Sequence, residues 1–203
     1  MLVDRINSWV RRIPNWTLYI LYALPAPWLF YLGMTGGLGA EPIKALEHEL
    51  GEIALQLLVI GLCITPLRRF LGINLIRFRR AFGLLAFFYV TLHLLVWLVL
   101  DVQILGQVWA DIVKRPYITV GMVAFALMIP LAITSNNWSV RKLGTRWRAL
   151  HKLTYAVGLL GATHFVMLSK GFQLEPLIYL AVILALLVLR GTAQRQGRAA
   201  RSA

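Results

Sequence analysis

From Ala81 to Leu100 the chain carries no Asp, Glu, Lys or Arg for 20 consecutive residues. No other feature of the sequence constrains the fold as tightly. Wound as an α-helix, such a run is ~30 Å long, which matches the hydrocarbon core of a bilayer. In lipid the backbone has no water to bond, so a run of this kind must satisfy its own N–H and C=O groups as a helix. Comparable runs recur, and the candidate spans are roughly 16–33, 48–66, 81–100, 117–134, 151–168 and 172–190. Hydrophobic residues make up 59% of the 203 positions and charged residues 14%, too few to clothe a soluble domain. The expected fold is an all-α integral membrane protein: a six-helix transmembrane bundle over residues 1–190, followed by a basic, disordered tail at 191–203.

Within that frame, Pro25 and Pro27 predict a kink in the first span, because proline lacks the N–H that continues a helix. Glu49 and Glu52 place the start of the second span at the membrane interface. The sixth span is the shortest, with an uncharged core only from Pro176 to Leu189 and a snorkelling Arg190 beyond it. The first apolar stretch follows a long amphipathic lead and shows no small-residue cleavage site, so no cleaved signal peptide is expected. The single cysteine, Cys63, falls in an apolar run and reads as a packing residue.

A net charge of +13 would in isolation suggest a nucleic-acid partner. The distribution of the charge argues against that. The N-terminus, the 2–3 and 4–5 loops and the C-terminal tail together hold 17 of the 21 basic residues, while the other side holds seven of the eight acids. This alternation requires an even number of spans, and the positive-inside rule puts both termini in the cytoplasm. The basic excess is a topology signal in a lipid bilayer, and no nucleic acid is expected.

Four histidines remain to be explained. Ionisable groups within a bilayer are costly and mark function by default. His93 lies 13 residues beyond Arg80 in the third span, and His164 lies 13 residues into the fifth. Both are therefore about 20 Å from the inner face. Two imidazoles at one depth on two helices are what a bis-histidine haem needs. Interhelical hydrogen bonding and proton relay are the alternatives. Tyr89 and Trp97 flank His93 at i−4 and i+4, and Gly158 and Gly161 precede His164, leaving room for a helix or a flat macrocycle. His151 is at the cytoplasmic end of the fifth span, too far from His164 to share one haem. Arg79 and Arg80 occupy the matching depth on span three. A second haem, a quinone or flavin contact and an interfacial position all stay open for His151. His48, beside Glu47 and Glu49, reads as interfacial. No glycine-rich dinucleotide fingerprint is present, so reducing equivalents are expected from another protein or from quinol.

The segments RRAFGLLAFFYVTLHLLVW (79–97), KRPYITVGM (114–122), PLAITSNN (130–137) and LGTRWRALHKLTY (143–155), followed by His164, resemble the MsrQ (formerly YedZ) family over roughly residues 10–190. These are haem-binding membrane subunits of bacterial methionine sulfoxide reductase systems, with a ferric-reductase-like transmembrane domain. The resemblance implies an electron-transfer subunit of the inner (cytoplasmic) membrane, not the catalytic reductase. It implies b-type haem, one or two, and FMN. Electrons are expected from the quinone pool, and the recipient is an MsrP-like periplasmic molybdopterin subunit. The family's haem histidines match His93, His151 and His164. A stand-alone metalloreductase and a histidine-based transporter or proton relay are the competing functions.

Overall fold

The computed structural model describes residues 2–169 and 171–202, except for the side chains of Leu105 and of 191–202. Among the described residues there is no strand. The helices are α1 (Leu2–Arg12), α2 (Asn15–Ala23), α3 (Pro25–Thr35), α4 (Pro42–Phe70), α5 (Arg79–Val96), α6 (Leu105–Lys114), α7 (Pro116–Ile133), α8 (Asn137–Leu143), α9 (Thr145–Leu150), α10 (Leu153–Leu168) and α11 (Leu174–Ser202). Among the described residues four stretches are long and apolar enough to cross a membrane: Asn15–Thr35, Pro42–Phe70, Ile76–Val102 and Pro116–Ile133. Helix α10 has 16 residues, about 24 Å of helix. The tail expected at 191–203 falls on residues whose side chains lie outside the description.

Proline and glycine set the helix limits. The first span is divided at Leu24, where Pro25 takes the first position of α3, and Gly36 ends α3 with φ +81°. Pro42 and Pro116 occupy the first turns of α4 and α7, where a missing N–H costs nothing. Asn136 caps α8 by accepting from the Ser139 N–H at 2.8 Å. After Val96, α5 widens into a π-helical stretch at Trp97–Val102, which stops at Gln103 with φ 61°. Such wide turns recur beside functional sites.

In lipid, helices gain no hydrophobic free energy by pairing, so close contact between small residues matters more. The seams of this bundle follow that rule. Ala54 on α4, Ala86 on α5 and Ala162 on α10 are fully buried. A Cβ at Gly158 would come within 3.2 Å of Leu62, so α10 sits tightly on α4 there. One core unites α4 and α5 with α2 and α3; a second joins α4, α10 and α11 through Leu55, Leu62, Phe165 and Ile183. Outward-facing side chains such as Trp28, Ile133, Phe172 and Val188 are exposed, which is the surface a bilayer covers.

Contacts also fix which helix ends meet. Arg77 donates to the Val10 and Arg11 carbonyls and to Asn15, Arg79 reaches Thr65, Arg80 reaches Asn137, and Arg190 lies over Tyr155. The C-terminal end of α4 and the N-terminal ends of α5, α8 and α10 thus share one basic end. The opposite end holds the cavity described next.

Candidate haem site

Between α4, α5, α7 and α10 lies a cavity of about 830 Å³. Its walls are mainly apolar, with Leu55, Leu58, Val90, Phe125 and Met128 among them, and its mouth carries Lys44, Glu47, Asp101 and Arg115. His93 projects into it from α5 and His164 from α10. Their ring centroids are 6.2 Å apart and their planes are nearly perpendicular, at 85°.

That spacing can be compared with what two axial ligands require. A metal–imidazole nitrogen bond is about 2.0 Å, and a ring centre lies about 1.1 Å beyond the nitrogen, so two rings across one metal have centroids about 6.2 Å apart. The observed separation therefore fits a metal held between the two rings. Among the described residues no group of three or more His, Cys, Asp or Glu side chains gathers as a metal site.

The backbone sets the tautomer of each ring. His93 Nδ1 lies 2.8 Å from the Glu47 carbonyl, and His164 Nδ1 lies 2.6 Å from the Tyr117 carbonyl. A carbonyl oxygen only accepts, so Nδ1 carries the proton and donates. Each Nε2 is left with its lone pair free, and the ring is held at a fixed angle, the arrangement in which histidine binds a metal.

Each ring lies against a glycine one helical turn beyond the carbonyl it uses. A Cβ at Gly51 would sit 3.2 Å from His93 Nδ1; at Gly121 it would sit 2.9 Å from His164 Nδ1 and 3.0 Å from Cε1. The same unit thus occurs twice, on α4–α5 and on α7–α10: a carbonyl, a glycine four residues later, and a histidine on the facing helix. The histidine follows its carbonyl by 46 residues in one unit and 47 in the other. Sequence reasoning missed both glycines and both carbonyls. The near-equal spacing, 42 residues from Gly51 to His93 and 43 from Gly121 to His164, was the available signal.

Other expected neighbours divide. Trp97 and Gly161 line the cavity. Tyr89 does not: its ring is fully buried on the far side of α5, and its hydroxyl donates to the Tyr22 carbonyl at 2.7 Å. Gly158 is spent on packing against Leu62 and Ile183. His48 lines the mouth, with its ring edge-on to Phe165 at 5.3 Å and Nδ1 3.9 Å from a Glu52 oxygen.

His151 is placed apart from the pair, at the turn between α9 and α10. Its ring stacks on Trp147 at 3.9 Å, and its Nε2 lies 3.0 Å from the Thr134 hydroxyl. Trp147 in turn donates from Nε1 to the Thr134 carbonyl at 2.9 Å. No second imidazole faces His151. In this arrangement His151 Nε2 shares a hydrogen bond with the Thr134 hydroxyl.

Comparison with known proteins adds an independent line. Residues 50–162 match the family model described as "ferric reductase like transmembrane component". The matched range includes Gly51, His93, Gly121 and His151 and ends two residues before His164. Proteins of Brucella ovis, Brucella canis and Brucella suis named "Protein-methionine-sulfoxide reductase heme-binding subunit MsrQ" are 51% identical to this chain over 180 residues, covering 87% of it and 82% of each relative. No solved structure matches the chain.

Proposed function

Since the chain belongs to the MsrQ family and carries its ferric-reductase-like transmembrane domain, we propose that it is the membrane electron carrier of a methionine sulfoxide reductase system. It takes electrons from the quinone pool and passes them to a periplasmic molybdopterin subunit of the MsrP type. The observation that supports this reading is the pair of imidazoles facing each other across the cavity with centroids 6.2 Å apart.

His93 and His164 would hold haem b, their free Nε2 atoms being the available donors. Bound there, haem would supply a one-electron carrier. The chain's own residues do the rest. The Glu47 and Tyr117 carbonyls fix the imidazole tautomers, and Gly51 and Gly121 let the Nδ1 edges of the rings come close to α4 and α7. The apolar walls exclude water, and Lys44 and Arg115 at the mouth offer partners for carboxylates.

In this reading six spans cross the inner membrane: α2 with α3, α4, α5 with its π-helical end, α7, α10 and α11. Both termini are cytoplasmic, an orientation supported by the positive-inside rule applied to the basic end of the bundle. The cavity mouth then faces the periplasm, where the recipient subunit is. His151 lies about 20 Å deeper along α10 than His164. It serves as the inner contact of the electron path, to quinol or a second haem. No bond of methionine is made or broken in this chain.

The reading is tested in proteoliposomes. Quinol should reduce the haem, and adding the oxidised molybdopterin subunit should reoxidise it, with methionine sulfoxide sustaining turnover. Haem that quinol leaves oxidised would refute it. Ferric chelates reduced without any partner would favour the metalloreductase alternative.

A further inference from the structure

The basic end of the bundle contains a second constellation, unrelated to the haem cavity. Arg79 on α5 and Arg190 on α11 both donate to one acceptor, the Thr65 hydroxyl on α4, each at 2.6 Å. Two nitrogens at 2.6 Å from one oxygen are no more than 5.2 Å apart. Arg190 also donates to the Leu62 carbonyl at 3.1 Å, and its guanidinium lies over the Tyr155 ring at 5.0 Å. Its Nε is buried without an acceptor. Among the described residues neither guanidinium pairs with a carboxylate.

This is not how arginines behave when they merely satisfy the positive-inside rule. Those extend outward and keep their charged heads in water. Here two heads turn inward onto one hydroxyl, each raising the cost of the other. Between them they have about ten N–H donors, and among the described residues three of those hydrogen bonds are accepted. Two planar forks side by side, short of acceptors and of a counter-ion among the described residues, match an oxyanion with several acceptor oxygens. Arg79 is exposed, so the site opens at the helix ends, at headgroup level.

We propose that Arg79, Arg190 and Thr65 form a binding site for one phosphate group at the basic end of the bundle. The phosphate comes from an anionic lipid headgroup or from a soluble phosphate, and its oxygens take the unfilled donors. Thr65 is 14 residues from Gly51, about 21 Å along α4, so occupancy leaves the haem cavity untouched. The bound phosphate ties α4, α5 and α11 together at the membrane surface.

The test uses haem-loaded protein in nanodiscs of phosphatidylcholine, of phosphatidylcholine with phosphatidylglycerol, and of phosphatidylcholine with added inorganic phosphate. The melting temperature should rise by about 5 °C in at least one of the last two. A rise only with phosphatidylglycerol identifies the headgroup; a rise with inorganic phosphate identifies a soluble ligand. Arg79→Gln combined with Arg190→Gln should abolish the rise, and Arg141→Gln combined with Arg146→Gln should keep it. If the first pair fails to fold, Arg190→Lys, which keeps the charge and loses the planar fork, should at least halve the rise. No rise in either anionic arm overturns the proposal. So does an equal rise in wild type and in whichever of the Arg79/Arg190 variants folds.

Discussion

Replacing Gly121 by alanine puts a methyl group where the His164 ring lies. The new Cβ would be 2.9 Å from Nδ1 and 3.0 Å from Cε1, against an ordinary contact of about 3.5 Å. The ring or α7 must therefore yield by roughly 0.5 Å. Helical backbone is stiff, so the ring moves, and the 2.6 Å bond to the Tyr117 carbonyl stretches or breaks. Overpacking of this size costs about 1–3 kcal/mol, while alanine in a helix returns about 0.5–1 kcal/mol relative to glycine. Loss of a ligand's supporting hydrogen bond lowers metal affinity by about 10- to 100-fold. Gly51→Ala is the internal control, because its Cβ stops 3.2 Å from His93 Nδ1 and needs a shift of only about 0.3 Å. We expect Gly121→Ala to lose haem at least about 10-fold in a haem-limited titration read by pyridine haemochrome, and Gly51→Ala to lose less. Full haem content with an unshifted spectrum in Gly121→Ala would refute the reasoning. So would a more severe defect in Gly51→Ala.

Other substitutions test separate parts of the structure. Tyr89→Phe removes the bond to the Tyr22 carbonyl and should lower stability by about 1 kcal/mol in a detergent-unfolding assay, without changing the haem spectrum. Gly161→Phe projects a ring into the cavity and should cut haem content sharply while circular dichroism stays helical. His151→Ala should leave the spectrum of the His93–His164 haem unchanged, since His151 lies about 20 Å from it along α10. A slower quinol reduction in that variant would support the inner-contact role, and an unaltered rate would remove it.

The membrane makes the gross fold legible, because lipid forces any long uncharged run into a helix of nearly fixed length. Helix ends are less legible, because hydropathy marks where lipid stops and not where a helix stops. Thus α4 begins at Pro42, six residues before the expected start at 48, and projects from the hydrocarbon with Glu47 and His48 on it. The amphipathic α6 and the short α8 and α9 carry no membrane-length run and went unseen. The register of His93 and His164 was readable because two helices entering from one side reach one depth after equal numbers of residues. Their carbonyl partners were not readable, since every residue has a carbonyl and only the fold selects Glu47 and Tyr117. Tyr89 shows the limit of face arguments: it lies one turn from His93, yet α5 twists enough between the two to send the phenol to α2.

The most direct test of the central claim is the absorption spectrum of the purified protein, oxidised and reduced, with a pyridine haemochrome assay on wild type, His93→Ala and His164→Ala. We expect a b-type spectrum in wild type and loss of the cavity haem in both variants. A wild type that takes up no haem despite ample supply, or variants that keep the full spectrum, would contradict the assignment of His93 and His164 as its ligands.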